Sequence, residues 1–281
     1  MTTTTTTQQD RAALLRSLHI PGTPLVLPNA WDGASARLAA DAGAAVIATT
    51  SAGVAWSLGF GDGGRLDRTD ALGAVARIVG AVGVPVTADI EGGYGSTAED
   101  VAETVRGVLA AGAVGVNLED APGPGADPLR PVAEQAARIT AARQAADAAG
   151  VPLFVNARID THRLRAAPDV WLKETLARAA AYAHAGADGV FVLGALDRAA
   201  VSALVDGVPV PLNVQAEPGT LPVSVLAELG VARISAGSSI AEAAYGLAAR
   251  GARELLTSGT TTALDGKLAY RALNSLMTGP A

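Results

Sequence analysis

Three acidic residues near the middle of the chain have the types and spacing of a metal site. Asp89 and Glu91 lie two residues apart in TADIEGGYG, and Glu119 ends the later segment VNLE. In an extended segment, side chains two residues apart project to one face, and the end of a neighbouring strand lies about 5 Å away. Clustered carboxylates repel one another unless a cation intervenes, and oxygen ligands suit Mg²⁺ or Mn²⁺. We therefore predict a metal at these residues; alternatively, one carboxylate caps the next helix and the others are solvated.

Two further side chains could bind an anionic substrate beside this metal. Arg158, in VNARID, is a candidate for gripping a substrate carboxylate through a two-pronged hydrogen bond. A salt bridge from Arg158 to Asp160 or Glu119 is the alternative, and it does not exclude the first role. Asn213, in PLNVQ, could donate a hydrogen bond to a second carboxylate oxygen.

A glycine cluster and three histidines carry weaker signals. Gly92, Gly93 and Gly95 follow the acidic pair, and we interpret them as a sharp turn with backbone donors near the substrate rather than as a nucleotide loop. His162 follows a predicted strand end and could belong to the site. His19 and His184 are predicted to be structural, because the first precedes the barrel and the second lies in a helix.

The elements that position these residues repeat along the chain. Alanine-rich helical stretches end at glycine and lead into short apolar runs, which predicts left-handed glycines at helix ends and parallel βαβ units. Eight such units at roughly 30-residue spacing predict an α/β fold, a closed (β/α)8 TIM barrel, with an open doubly wound sheet as the alternative. The predicted strands span 25–29, 45–49, 86–89, 115–119, 153–157, 189–193, 211–214 and 232–235. Catalytic side chains of such barrels lie at the carboxyl ends of the strands.

No break in composition divides the 281 residues. We predict a disordered polar tail over 1–10, one catalytic barrel over 11–250, and a C-terminal helical extension over 251–281 with a helical stretch at 263–276. A length of this size suits a single barrel domain.

Composition excludes several classes of partner and chemistry. The formal net charge of -6 and the lack of a basic cluster argue against nucleic acid. There is no cysteine, so disulfides and a cysteine nucleophile are excluded. No apolar stretch is long enough to span a membrane, and the threonine-rich start lacks the features of a signal peptide, so we expect a cytoplasmic protein.

The motifs resemble those of the isocitrate lyase and phosphoenolpyruvate mutase superfamily, and its phosphonomutase-like branch in particular. The resemblance extends from Leu25 to about Arg250 and rests on these segments in this order: LVLPNAWDGASA, TTSAGVAWSLGFGDGG, TADIEGGYG, VNLED, VNARID, GADGVFV and ELGVARISAG. It implies a Mg²⁺-dependent barrel that forms a homodimer or homotetramer, with the last helix exchanged between subunits.

The resemblance also implies individual roles. Asp89, Glu91 and Glu119 would hold the metal directly or through water. Asp62 would lie on a gating loop near the reacting atoms. Hydroxyl and backbone donors for the substrate carboxylate would come from Thr50, Ser51 and Ala52, and Arg158 would bind the substrate. The implied chemistry is a metal-stabilised enolate of pyruvate or a related small 2-oxo acid.

The chain departs from this pattern in one important loop. The isocitrate and methylisocitrate lyases carry a Lys-Cys-Gly-His loop after their Glu-Asp, with the cysteine as proton donor. Here residues 121–127 read APGPGAD, and the lysine-containing loop of the true mutases is missing too. A lyase of this sequence needs another acid, for which Tyr94 is the candidate. Glu91 stands where an aspartate is usual, which favours coordination through water.

Three functions follow from these patterns. The first is a lyase, or related hydrolase or decarboxylase, that breaks or forms a C–C bond in a small 2-oxo or 2-hydroxy dicarboxylate. The second is a phosphonate-metabolising mutase or hydrolase. The third is a barrel that has lost catalysis and only binds a ligand; intact clustered carboxylates argue against it, because unneeded buried charges cost stability.

Overall fold

The computed structural model describes residues 6–123, 129–164 and 168–279 as a parallel sheet ringed by helices. The strands are β1 (Leu25–Leu27), β2 (Asn29–Ala30), β3 (Ile47–Thr49), β4 (Val86–Asp89), β5 (Gly115–Glu119), β6 (Phe154–Ile159), β7 (Gly189–Val192), β8 (Leu212–Gln215) and β9 (Arg233–Ser235). The helices are α1 (Gln8–Ser17), α2 (Gly33–Asp41), α3 (Ser51–Ser57), α4 (Arg68–Ala81), α5 (Ala98–Ala110), α6 (Val132–Ala148), α7 (Thr161–Leu164), α8 (Pro168–His184), α9 (Arg198–Gly207), α10 (Val223–Glu228), α11 (Ser239–Thr257) and α12 (Tyr270–Thr278).

The sheet closes into a barrel through its first predicted strand. The strand order is β1-β9-β8-β7-β6-β5-β4-β3-β2, and only Pro28 separates β1 from β2. Proline has no N–H to donate to a ladder, so the predicted strand 25–29 divides there. Its first part pairs with β9 and its second part with β3. The (β/α)8 barrel prediction is confirmed, and the open-sheet alternative is wrong.

Local signals place the helices where the sequence predicts them. The predicted left-handed glycines at helix ends are confirmed, with φ of 97° at Gly43, 91° at Gly112, 106° at Gly186 and 92° at Gly230. At the start of α5, Thr97 and Asp100 form a reciprocal capping box, which satisfies two backbone N–H groups that the first turn leaves unpaired.

Helix α1 covers the amino-terminal end of the barrel, opposite the predicted site. Ala12 and Leu15 are fully buried, and Gly115 is required beneath them because a Cβ there would lie 2.8 Å from Leu15 Cδ2. The helix begins at Gln8, so residues 8–10 of the predicted tail are helical. Residues 1–5 of that tail lie outside the described residues.

The C-terminal extension continues the last barrel helix. Helix α11 runs through the predicted boundary at residue 250, and the stretch predicted as helix 263–276 divides into a short 3-10 turn at 262–264 and α12. Arg37 Nη1 donates to the carbonyls of Leu276 at 2.9 Å and Gly279 at 2.8 Å, which ties α12 to α2 of the same chain. Exchange of the last helix between subunits stays a prediction. Within the described ranges, no helix combines the length and apolar character that crossing a membrane requires.

Candidate active site

A cavity of about 530 Å³ opens at the carboxyl ends of the strands. Six of the ten predicted site residues line it, namely Thr50, Ser51, Ala52, Asp62, Asp89 and Arg158. A neighbouring pocket of about 340 Å³ is lined by Glu91, Tyr94 and Glu119, together with Arg68 and Arg130. The barrel therefore brings nine of the predicted residues to two adjoining spaces at one end of the sheet.

Of the three predicted metal ligands, Asp89 is the one that lines the larger cavity. It ends β4, where its backbone N–H donates to Thr49 Oγ1 at 2.8 Å. Ser51 Oγ donates to Asp89 Oδ2 at 3.2 Å, and the Glu91 N–H donates to Oδ1 at 3.1 Å. These contacts fix the side chain, and neither partner is a charged donor.

Glu91 reaches the site by a turn of the backbone. Its φ is 49°, so the extended geometry predicted for residues 89–91 is wrong: the strand ends at Asp89 and the chain enters the left-handed region. A non-glycine residue in that conformation costs of order 1 kcal/mol and is typical of functional sites. Glu91 Oε2 accepts the Gly64 N–H at 2.5 Å, which ties the loop that carries Asp62 to the predicted metal ligands.

Glu119 and Arg158 form an ion pair at the boundary between the two spaces. Arg158 Nη1 lies 2.7 Å from Glu119 Oε2, while Nε and Nη2 contact the two carboxylate oxygens of Asp160 at 3.1 Å and 3.0 Å. The predicted salt bridges of Arg158 are therefore both present. A guanidinium carries five N–H groups, and the contacts that Arg158 makes within the described residues leave one N–H on each Nη available to a ligand.

A buried network on the outer side of the sheet holds Arg158 in place. Asp120 Oδ1 accepts the Asp160 N–H at 3.0 Å, and its Oδ2 accepts from Arg178 at 3.2 Å and from the Tyr182 hydroxyl at 3.1 Å. Burial raises the pKa of Asp120 to about 6. The sequence analysis did not predict this role for Asp120. The alternation of side chains along a strand was an available signal, because it directs residue 120, next to Glu119, away from the barrel interior.

The electrostatics of the carboxylates favour a bound cation. Burial, with the neighbouring acids, raises the pKa of Asp89 and raises that of Glu91 to about 7. Burial likewise raises the pKa of Glu119, because its pairing with Arg158 offsets only part of the desolvation. Burial and these carboxylates also hold the pKa of Tyr94 well above its usual value, so its hydroxyl stays protonated.

The carboxylates of Asp89, Glu91 and Glu119 suit a Mg²⁺ ion that keeps several of its water ligands. No three acidic or imidazole side chains among the described residues converge as direct ligands of one ion. Mg²⁺ is commonly bound by one or two carboxylates with water completing its octahedron, and buried oxygen donors with raised pKa values suit that arrangement. Asp89 would be the direct ligand, with Glu91 and Glu119 holding the ion through water.

The remaining predicted residues lie around this centre. Asn213 is buried and exchanges hydrogen bonds with Ser235 at 3.1 Å and 3.2 Å, and it does not line the cavity. His162 lines the cavity, whereas the buried His19 stacks on Phe154 with ring centroids 3.8 Å apart. Of the departing loop 121–127, residues from 124 onward lie outside the described residues.

The fold and the site define a barrel enzyme with carboxylates and an arginine at the carboxyl ends of its strands. The family model for phosphoenolpyruvate phosphomutase matches residues 15–256. The chain belongs to this family and therefore to the isocitrate lyase and phosphoenolpyruvate mutase superfamily, whose members are lyases and mutases.

Two sequence relatives and one crystal structure illustrate the range of proteins that this chain resembles. An uncharacterised protein of Mycobacterium tuberculosis (strain H37Rv) is 40% identical over 236 residues, covering 84% of this chain and 86% of the relative. The 2-methylisocitrate lyase of Escherichia coli (strain K12) is 32% identical over 235 residues, 78% of each chain. A crystal structure from Burkholderia cenocepacia J2315, provisionally assigned as a phosphonomutase, is 46% identical with a TM-score of 0.82 and covers 90% of this chain and 100% of its own.

Proposed function

We propose that this protein is a Mg²⁺-dependent lyase that breaks or forms a C–C bond in a small 2-oxo or 2-hydroxy dicarboxylate through an enolate. Mn²⁺ would serve in place of Mg²⁺. The observation that carries the proposal is the cavity itself, in which the carboxylates of Asp62 and Asp89 share a lining with the guanidinium of Arg158. Such a site provides a cation-binding side and an anion-binding side within one small space.

Arg158 binds and orients the substrate in this proposal. Its charge is secured by Glu119 and Asp160, which raise its pKa although burial opposes the charged form. The two N–H groups that these partners leave free point to a carboxylate as ligand, since carboxylates accept two parallel bonds from a guanidinium. Thr50, Ser51 and Ala52 line the same cavity and would donate to the substrate's other oxygens.

Asp89, with Glu91 and Glu119 through water, would hold the metal, which would supply a Lewis acid for the negative charge that develops on the substrate oxygen at C2. Asp62 lines the cavity, so we place proton transfer there. Its carboxylate would take the hydroxyl proton of a 2-hydroxy acid as the C–C bond breaks; the hydroxyl carbon becomes the 2-oxo group, and the electron pair of the bond passes to the departing carbon as an enolate. The protonated Asp62 would then return the proton to that carbon. Tyr94 lines the neighbouring pocket instead. Its protonated hydroxyl would serve as the donor only for a substrate that reaches into that pocket.

The test is a product assay on the metal-loaded protein. Branched malates and oxaloacetate are incubated with protein and Mg²⁺, and pyruvate-type products are followed by proton NMR. We expect product with at least one dicarboxylate and none with the Asp62→Asn variant. Turnover of no member of the panel by the folded, metal-loaded protein would contradict the lyase proposal.

The phosphonate alternative has one observation in its favour. The pocket beside Glu91 and Glu119 is lined by Arg68 and Arg130, and two guanidinium groups suit a phosphoryl or phosphonyl group. Phosphorus NMR on phosphonopyruvate tests it, because rearrangement or hydrolysis moves the resonance. An unchanged spectrum with active protein rejects this alternative. Membership in a family of lyases and mutases favours either reaction over a barrel without catalysis.

A further inference from the structure

Beneath the cavity floor, a buried arginine crosses the barrel interior. Arg233 is fully buried on β9, and its Nη2 donates to Asn117 Oδ1 on β5 at 3.3 Å. Its Nε lies 3.4 Å from Ser235 Oγ, and its Nη1 has no hydrogen-bond partner within the described ranges. Burial lowers the pKa of Arg233 to about 9, so it remains charged near neutral pH. Burying a charged group without an ion-pair partner costs folding free energy. A function for Arg233 would account for this cost.

Asn117 connects this arginine to the cavity. Its side-chain oxygen also accepts from Asn156 Nδ2 at 2.8 Å, so both donors below the floor converge on one atom. Asn117 itself lines the cavity. In the part of the chain that the structure describes, Asn117 Nδ2 has no acceptor. The amide therefore presents a free N–H donor to whatever occupies the cavity.

Arg233 is the group that decides this orientation. Asn117 and Asn156 could each turn by half a rotation and keep the hydrogen bond between them, because an amide has a donor end and an acceptor end. Asn156 could make this turn without losing a bond at its other end, because its buried Oδ1 has no hydrogen-bond partner in the described part of the chain. It would place Asn117 Nδ2 against the guanidinium, which can only donate. Without Arg233, the floor of the cavity could present an acceptor oxygen instead, which repels an anionic ligand.

We propose that Asn117 is a substrate-binding residue that donates its amide N–H to an oxygen of the anionic 2-oxo acid, and that Arg233 is the positioning residue that fixes this donor. The inference rests on the proposed function for the class of ligand. Asn117 on β5 is the register partner of Asp89 on β4, so its amide would add a polar contact to the substrate next to the proposed metal ligand. Arg233, which sets the orientation of that amide, does not line the cavity.

The experiment measures the affinity for oxalate, a 2-oxo acid analogue, by calorimetry with saturating Mg²⁺. Wild-type protein binds oxalate if the proposed function holds, and absence of binding overturns that function. With binding established, Asn117→Ala is expected to weaken oxalate binding about ten-fold or more, the usual loss for a hydrogen bond to a charged group. Asn117→Asp should weaken it further. Unchanged affinity in Asn117→Ala overturns this inference alone.

A double-mutant cycle separates positioning from a general loss of structure. Arg233→Met should weaken oxalate binding about ten-fold in the wild-type background and by less than about two-fold in the Asn117→Ala background, since coupled residues are not additive. An equal loss in both backgrounds overturns the positioning role. Mn²⁺ affinity without oxalate, measured by electron paramagnetic resonance, should be unchanged in both single variants.

Two further variants keep the test decisive. If Arg233→Met does not fold, Arg233→Gln replaces it in the double-mutant cycle. Arg233→Lys should retain most of the wild-type affinity for oxalate, because a lysine side chain, like arginine, can only donate hydrogen bonds. Thr87→Val is the matched control: Thr87 Oγ1 is buried and has no hydrogen-bond partner among the residues that the structure describes, and its loss should leave oxalate binding unaltered. A loss in the control equal to that in Arg233→Met would attribute the effect to the core in general and overturn the positioning role.

Discussion

Arg158 on β6 and Glu119 on β5 are register partners, and their side chains meet with Nη1 2.7 Å from Oε2. Asp160, two residues further along the chain, holds the other side of the guanidinium. Two acids thus secure one arginine at the boundary of the cavity. This arrangement would allow Arg158 to bind an anionic substrate beside carboxylates that are predicted to bind a cation.

The first prediction concerns the geometry of this arginine. Arg158→Lys keeps the charge but cannot maintain contacts to both acids and a substrate, because an ammonium lacks the planar fork. We expect kcat/KM to fall about 100-fold, which corresponds to about 2.7 kcal/mol of transition-state stabilisation. Steady-state kinetics on the best substrate of the panel measures it. Arg143→Lys is the control, because Arg143 pairs with Asp188 at the amino-terminal end of the strands and should leave turnover unchanged.

The second prediction concerns the metal ligand. Asp89→Asn should abolish tight Mn²⁺ binding, because the carboxylate that faces the cavity becomes neutral. The same substitution should raise the melting temperature of the metal-free protein, since burial makes the charged form of Asp89 unfavourable, as its raised pKa indicates. Asp41→Asn, at the exposed end of α2, should change neither quantity. Full retention of Mn²⁺ affinity in Asp89→Asn would exclude Asp89 as a ligand.

The third prediction concerns pH. The pKa of Glu91 is about 7 in the folded protein, above its ordinary value of 4.5. The folded state therefore binds more protons than the unfolded state between these values, so the Glu91 contribution to stability falls as pH rises through this window. The free energy of unfolding of metal-free Glu91→Gln, relative to wild type, should increase from about pH 5 to about pH 7.

Comparing variants removes the opposite contribution of His19, whose pKa burial lowers to about 3. That contribution is the same in wild type and variant, so it cancels in the difference between their unfolding curves in urea. Added Mg²⁺ should reduce the Glu91 effect, because the ion binds the charged carboxylate. A flat difference for Glu91→Gln would show that this carboxyl titrates normally.

The fourth prediction concerns association of the chain. Leu256 is 86% exposed and Tyr270 is 82% exposed, on the surface formed by the end of α11 and by α12. Large exposed apolar side chains are typical of an interface when they form a patch, and we predict a homodimer or homotetramer that covers these two. Leu256→Asp should shift the mass measured by light scattering towards the monomer. Leu14→Asp, on exposed α1, should not. A monomeric wild-type protein would contradict the prediction.

The amino-acid sequence by itself determined the class of fold and the end of the barrel that carries the site. Helix-terminating glycines such as Gly43 and Gly186 and the alternation of short apolar runs with helices are local signals, and they predict parallel units without knowledge of distant contacts. Acidic residues at strand ends, such as Asp89 and Glu119, follow from the same local pattern. The residues that meet at the site were therefore largely predictable.

Only the tertiary structure decided which of these groups contact one another. Glu91 has a left-handed backbone, and its side chain accepts the Gly64 N–H from a distant loop. Pro28 divides the first strand, and only the closed sheet shows that the two parts pair with different neighbours, β9 and β3. Arg233 reaches Asn117 across the barrel from 116 residues away, and no local spacing can encode such a pair. Contacts of this kind arise from closure of the sheet, because closure brings β9 to face β5 across one interior.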